Sequence, residues 1–216
     1  RGYSISERVV EKTINNIFEN STERIIVATF SSHLDRLQQV INAAYKTNRK
    51  IAISGRSMIE NTELATKLGY LNFPEKNMLL PVRKINNLAN NKIVYLMTGS
   101  QGETMASLSR IARGEHRGIT LQEDDTVLLS ATPIPGNEKS VGNIINQLFE
   151  KGAQVIYGKE LDVHVSGHAC QEELKLMLNM IQPKYFIPVH GEYRHLYDHS
   201  LLAKQVGTPD ENIFIT

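Results

Sequence analysis

The chain has 216 residues, enough for one large or two small domains. Its composition, with 41% hydrophobic and 22% charged residues, is that of an ordinary globular protein, and a formal net charge of +1 excludes an overall basic field that would indicate nucleic acid. Its single cysteine, Cys170, excludes an intramolecular disulfide framework and a cysteine-based zinc site, which favours a reducing, cytoplasmic setting.

Short apolar runs alternate with amphipathic stretches along the chain. Ser6 can cap a first helix, and apolar residues three or four positions apart predict the later ones, including a helix at 58–68 and a short one around 82–88. The apolar runs predict buried strands at 25–30, 50–54, 92–97, 126–130 and 154–157. This alternation predicts an α/β fold in which helices cover both faces of a mostly parallel sheet.

The ends of the chain and its hydropathy bear on its surroundings. No apolar run approaches the roughly 20 residues of a membrane span, and no signal peptide is visible, so no membrane partner is expected. The chain begins with Arg1 rather than Met and stops just after an apolar run at 213–215. Both ends are interpreted as cuts through a longer protein.

Four loops that follow predicted strands are rich in Gly, Ser, Thr and Asn. They cover residues 31–33, 55–57, 98–103 and 132–137. In a parallel sheet these loops meet at one edge, where they would form a polar cleft of backbone N–H groups and hydroxyls suited to phosphates. For any single loop, turn chemistry alone is the alternative explanation. Neither a P-loop nor a Gly-x-Gly-x-x-Gly fingerprint is present.

Two further segments bring histidines to predicted strand ends. HVSGHA at 164–169 follows a β-branched run and precedes an amphipathic helix, and PVHGE at 188–192 ends an apolar strand predicted at 185–189. His164, His168 and His190 are therefore expected at one edge of a sheet. Neutral imidazole is a common metal ligand, and it also suits general acid–base chemistry.

A purely structural role for the three strand-end histidines stays open. The other histidines have a different context. His116, His195 and His199 lack such a setting and are interpreted as ordinary exposed or helix-surface residues.

Four segments of the chain carry a resemblance to a known family. They are TGSQGE at 98–103, TPIPGNE at 132–138, HVSGH at 164–168 and PVHGE at 188–192. With them, essentially the whole chain resembles bacterial ribonuclease J, of the β-CASP family of metallo-β-lactamase-fold nucleases. The resemblance implies a β-CASP domain at residues 1–157 and the C-terminal part of a metallo-β-lactamase domain at 158–216, a truncated αββα segment.

The resemblance also assigns roles to residues. His190 would be a ligand of a two-zinc site, and His168 would give a proton to the leaving oxygen. His168 would bind the substrate phosphate together with its neighbours His164, Val165, Ser166 and Gly167. A loop similar to one that lines the family's nucleotide pocket contains Ser31, Ser32 and His33. Plausible RNA backbone contacts, with solvated surface charges as the alternative, are Arg56, Arg110 and Arg113.

The implied function is a zinc-dependent ribonuclease with 5′–3′ exonuclease and endonuclease activity in rRNA processing and mRNA decay. Its β-CASP domain would clamp single-stranded RNA, and full-length family members form homodimers, tetramers or paralogue heteromers. The family's main metal motif, His-x-His-x-Asp-His, does not occur in this sequence, so the chain alone is expected to be inactive and essentially metal-free. A non-catalytic RNA-binding or assembly subunit and a nucleotide- or sugar-binding doubly wound domain remain as alternatives.

Overall fold

The computed structural model describes residues 2–158, 165 and 167–216. The chain divides into two compact units. Ser6–Val165 is termed the sheet unit, and Ser166–Thr216 together with Arg1–Ile5 is termed the histidine unit. The domain boundary between 157 and 158 stays a prediction.

The described part of the sheet unit contains one five-stranded parallel sheet in the order β2-β3-β1-β4-β5. Ile25 of β1 lies between Val94 of β3 and Thr126 of β4. The strands are β1 (Ile25–Ala28), β2 (Lys50–Ser54), β3 (Ile93–Met97), β4 (Thr126–Leu129) and β5 (Gln154–Ile156). The helices are α1 (Glu7–Asn20), α2 (Leu34–Lys46), α3 (Arg56–Lys67), α4 (Val82–Ile85), α5 (Ser107–Arg113) and α6 (Glu138–Glu150), with a 3-10 turn at Asn90–Lys92.

Both faces of this sheet are covered, as the sequence predicts. The three central strands β1, β3 and β4 are buried throughout because helices pack on each side, which explains their continuous apolar sequences. The apolar stripes of α1, α2 and α3 pack on one face. Those of α5 and α6, with Ile85 of α4, pack on the other face. The α/β prediction is confirmed, although α3 begins at Arg56 rather than Met58.

The strand order creates a switch point beside β1. The helix that follows β1, α2, packs on one face of the sheet. The helices that follow the neighbouring strands β3 and β4, α5 and α6, pack on the opposite face. Loops that leave the carboxyl ends of adjacent strands in opposite directions open a crevice, and ligands of open α/β sheets bind there.

The histidine unit has a different construction. It contains α7 (Gln171–Ile181), α8 (Tyr193–Gln205) and a 3-10 turn at Asp210–Asn212. The first residues of the chain contact α7 through Ser4, whose hydroxyl donates to the Glu173 carboxylate at 2.5 Å. In the described residues, no helix is long and apolar enough to span a membrane.

The strand predicted at 185–189 is wrong. Phe186 forms a single β-bridge with Ile213, and its amide donates to the Asn212 carbonyl at 2.8 Å. The flanking residues Tyr185, Ile187 and Val189 are exposed. A strand needs a neighbouring ladder along its length, and in the part of the chain that is described this segment pairs only at Phe186.

Candidate active site

The imidazole rings of His168 and His190 stack on one another in the histidine unit. Their centroids are 5.2 Å apart and their planes differ by 10°. His168 lies just before α7, and His190 lies in the turn that leads into α8. Both side chains are exposed. The structure therefore brings together the two histidines with predicted roles in proton donation and metal binding.

The turn that carries His190 has an unusual backbone. His190 has φ +72° and Gly191 has φ +126°, both in the left-handed region. A reciprocal cap follows, in which the Glu192 amide donates to Nδ1 of His195 at 3.0 Å. His195 lies exposed on α8, as predicted, but its role as the cap of this turn was not predicted. Glu192 and His195 have the three-residue spacing of a capping box but not its usual residue types, Ser or Thr followed by Glu or Gln, so no standard motif indicated this cap.

The described residues do not make a metal site by themselves. They contain no group of three or more His, Cys, Asp or Glu side chains that could hold a metal ion. The lone pairs of an imidazole lie in its ring plane, so two nearly parallel stacked rings do not converge on one ion. At most one ring of this stacked pair can therefore bind a given metal ion.

The predicted phosphate-binding segment is described only in part. His164 and Ser166 lie outside the described residues. Val165 is half-buried and packs against the core of the sheet unit, while Gly167 is exposed. The assignment of this segment to a phosphate stays a prediction.

The loop after β1 places the predicted Ser31, Ser32 and His33 at the start of α2. Nδ1 of His33 accepts from the Arg36 amide at 3.1 Å, so His33 is the N-cap of α2. Its Nε2 lies 3.3 Å from the Glu7 carboxylate. Ser31 accepts a hydrogen bond from Asn61 at 3.0 Å. Ser32 lines a shallow depression with His33 and with Phe30, Leu34, Asp35 and Tyr70.

Beneath this loop lies a buried charge that the sequence analysis missed. Arg36 is 0% exposed, donates to the Glu7 carboxylate at 2.8 Å and also bonds the hydroxyl of Ser130, at the end of β4. Burial pushes the pKa of Glu7 upward, but the hydrogen bonds and charge of Arg36 outweigh it and hold that pKa below its ordinary value. An arginine beside Leu37 in the apolar stripe of α2 was the available signal.

Gln101 joins the loops that follow β3 and β4. Its side-chain amide donates to the Thr132 carbonyl at 2.9 Å and accepts from the Ile134 amide at 2.7 Å. Only 4% of Gln101 is exposed. Its neighbour Gly102 has φ +77°, and a Cβ there would lie 2.8 Å from Ser140 in the first turn of α6. These contacts fix one loop against the other.

The interpretation of His116 as an exposed histidine is wrong. It is half-buried, and its Nδ1 accepts from the amides of Gly118 and Ile119 at 3.2 and 3.0 Å. Its Nε2 therefore carries the proton and donates to the Ser54 hydroxyl, which also bonds Ser107 at 2.9 Å. Because Nδ1 already accepts two hydrogen bonds and Nε2 carries the proton, this histidine cannot act as a base toward Ser54.

The three predicted RNA-contacting arginines differ in their surroundings. Arg56 is exposed at the start of α3. Arg113 bonds the Glu115 carboxylate at 2.8 Å and the Thr104 carbonyl at 2.8 Å. Arg110 is half-buried and reaches the Glu115 carbonyl at 3.3 Å. Of these three arginines, Arg56 is the exposed one.

Comparison with known families follows the division seen in the structure. Residues 22–148 match the family model for the ribonuclease J β-CASP domain. Residues 160–215 match the family model described as the Zn-dependent metallo-hydrolase RNA specificity domain, and this range includes the His168–His190 pair. The chain belongs to the ribonuclease J family.

Curated relatives agree with this assignment. The chain is 49% identical to ribonuclease J 1 of Streptococcus pyogenes serotype M3, over 99% of this chain and 38% of the relative. It is 44% identical to ribonuclease J of Helicobacter pylori 26695, over 99% of this chain and 31% of the relative. It is 41% identical to ribonuclease J2 of Bacillus subtilis 168, over 99% of this chain and 38% of the relative. The chain thus spans about a third of the length of these relatives.

A solved structure supports the fold alone. It is the crystal structure of a protein of unknown function from Enterococcus faecalis V583, which aligns with a TM-score of 0.60 and 15% sequence identity. The alignment covers 97% of this chain and 43% of that one.

Proposed function

We propose that this chain is the RNA-handling part of a zinc-dependent ribonuclease that cleaves single-stranded RNA. The observation that carries the proposal is the stacked His168–His190 pair, which lies within the stretch matched by the RNA specificity domain. The β-CASP domain, proposed at residues 1–157, would clamp the RNA strand, and residues 158–216 would contribute to the catalytic centre. The full protein would act as an exonuclease and endonuclease in rRNA processing and mRNA decay.

His168 is proposed as the proton donor to the departing 3′ oxygen. Imidazole titrates near neutral pH, and an exposed ring can reach a substrate that enters from solvent. The proposed ligand role of His190 leaves its stacked neighbour His168 for proton transfer. The segment 164–168 and the loop of Ser31, Ser32 and His33 are proposed as RNA contacts at the phosphate and at the nucleotide. Of these, Ser32 is the exposed one in the β1 loop.

Zinc, two ions in each complete active site, is proposed as the cofactor because the description of the matched family names this metal. The described residues supply His190 and no further ligands grouped with it. The remaining ligands would have to come from other parts of the protein. We therefore expect the 216-residue chain alone to bind no stoichiometric zinc and to leave RNA intact.

The proposal is tested in the ribonuclease J that carries this chain, with zinc content and turnover of a 5′-monophosphorylated RNA as readouts. His190→Ala should lose zinc and cleavage. His168→Ala should keep its zinc and slow cleavage by about 10²–10⁴-fold, the usual contribution of a general acid. His199→Gln, a histidine of the same unit outside the stacked pair, is the matched control and should keep both.

Wild-type cleavage rates in both variants would contradict the assigned roles and favour the non-catalytic assembly subunit. Tight stoichiometric zinc, or RNA degradation, in the 216-residue chain alone would overturn the expectation that this part is incomplete as an enzyme.

A further inference from the structure

The loop that joins β4 to α6, residues 131–137, has an apolar tip at the carboxyl edge of the sheet. This segment is termed the β4 loop. Ile134 stands at its tip, is 52% exposed and lies between Pro133 and Pro135. The loop leaves β4, a direct neighbour of β1, and so borders the crevice at the switch point.

The backbone of the β4 loop has few N–H groups left for an anion. Pro133 and Pro135 have none. The Ile134 amide donates to Gln101 at 2.7 Å, the Gly136 amide to the Glu138 carboxylate at 2.8 Å, and the Asn137 amide to the Ile134 carbonyl at 2.9 Å. At residues 133–137 the polar cleft of N–H groups predicted from the sequence is therefore not found, and the tip of the loop presents apolar surface instead.

This apolar tip is held in place before any ligand arrives. The buried Gln101 amide bonds the backbone on both sides of Pro133, and the two prolines fix their own φ angles. Little conformational entropy is lost when such a loop makes a contact. A preformed apolar wedge suits the flat faces of nucleobases, which exposed aliphatic side chains and prolines contact in other nucleic-acid complexes.

We propose that the β4 loop is a contact for the bases of single-stranded RNA, with Ile134 as the contacting side chain and Gln101 as its positioning residue. This inference rests on the proposed function and deepens it, because it names the part of the RNA that this loop would bind. Its contribution to affinity is independent of phosphate neutralisation. It should therefore persist at salt concentrations that weaken phosphate contacts.

The test measures binding of the 216-residue chain to a fluorescent single-stranded RNA of twelve nucleotides over a range of salt concentrations. Ile134→Ser should weaken binding about five-fold or more, the lower end of one base contact, without a change in the slope of log K against log salt. Leu64→Ser is the matched control, since Leu64 is 56% exposed on α3, and its affinity should equal that of the unaltered chain.

Gln101→Ala tests the positioning role. It should weaken RNA binding in the unaltered chain but cause no further loss in an Ile134→Ser background, because the two residues would act through one contact. Additive losses would show that Gln101 affects binding by another route. Gln101→Glu keeps the acceptor for the Ile134 amide and should restore part of the affinity.

The failures are distinguishable. Unaltered RNA affinity in Ile134→Ser, or an equal loss in Leu64→Ser, would overturn the inference while the proposed function stands. A reduced salt slope in Ile134→Ser would overturn it in favour of a phosphate contact. RNA affinity that stays unchanged while the oligomeric state changes would reassign the loop to a protein interface. No RNA binding by the unaltered chain would overturn the RNA-clamp role together with this inference.

Discussion

The two units differ most in how they treat their apolar residues. The sheet unit buries whole strands and one face of several helices, as β1, β3 and α1 illustrate. In the described part of the histidine unit, Leu178 and Ala203 are the buried hydrophobic residues, while Met180 and Ile181 of α7 are exposed. The comparison teaches that most of the buried apolar side chains lie in one unit, whereas the predicted catalytic histidines lie in the unit with the smaller core.

Removing a charge pair should give the largest difference between the two units in the free energy of unfolding. Arg24 and Asp125 of the sheet unit form a buried pair in which Nε donates to the carboxylate at 2.7 Å. Asp125→Asn should lower the free energy of unfolding by about 3–5 kcal/mol because it leaves Arg24 buried without its counter-charge. Asp210→Asn removes an exposed pair with Lys204 in the histidine unit and should cost about 0–1 kcal/mol. Urea unfolding measures both, and equal effects would contradict the contrast.

Truncating an apolar side chain should give the next largest difference in the free energy of unfolding. Leu96 is fully buried in β3, and Leu96→Ala should lower the free energy of unfolding by about 2–5 kcal/mol through lost burial and a new cavity. Leu176 of α7 is 52% exposed, so Leu176→Ala should change it by no more than about 0.5 kcal/mol. A large loss of stability in Leu176→Ala, measured by the same titration, would contradict the exposed position of Leu176.

Histidine protonation should give the smallest difference, which concerns how stability depends on pH. Burial, together with the nearby charge of Arg110, lowers the pKa of His116 below its ordinary value. The unfolded chain then binds this proton at a higher pH than the folded chain. Stability is therefore complete above about pH 6.5 and falls as the pH drops through the folded-state pKa. Urea midpoints between pH 7.5 and 5 should fall less steeply in His116→Gln than in the unaltered chain.

His199 offers the same measurement in the histidine unit. Burial lowers its pKa too, and its ring packs against Phe186 at 4.9 Å between centroids. His199→Gln should flatten the pH dependence less than His116→Gln, because protonation of His116 also ends two hydrogen bonds accepted by Nδ1. An identical pH dependence in His116→Gln and the unaltered chain would contradict the structural role of His116.

Much of the fold could be predicted from local sequence patterns. The strand at Lys50–Ser54 and the cap at Ser6 could be predicted because each depends on residues close in sequence. Because β1 and β3 are buried on both faces, their sequences are uninterrupted apolar runs that predict strands. β1 ends at Ala28 rather than at the predicted residue 30. The segment around Phe186 has the same apolar character but lacks a ladder, which composition does not reveal.

The site depended more on partners distant in sequence. Gln101 bonds Thr132 and Ile134, and Arg36 bonds Glu7, over separations that no periodic pattern encodes. Glycine and serine in the loops correctly indicated turns at one edge of the sheet. Whether a loop N–H faces a ligand or an internal acceptor depends on these long-range bonds, so the predicted cleft of N–H groups did not hold for the β4 loop.

The bond between Ser4 and Glu173 has a consequence for the order of folding. It joins two parts of the histidine unit that are separated along the chain by the whole sheet unit, about 160 residues. Closing a flexible loop of that length opposes the contact by on the order of 4–5 kcal/mol of chain entropy, more than one hydrogen bond contributes to stability. Once the intervening sheet unit has condensed, that entropy is already lost. The first residues should therefore join α7 only after the sheet unit has formed.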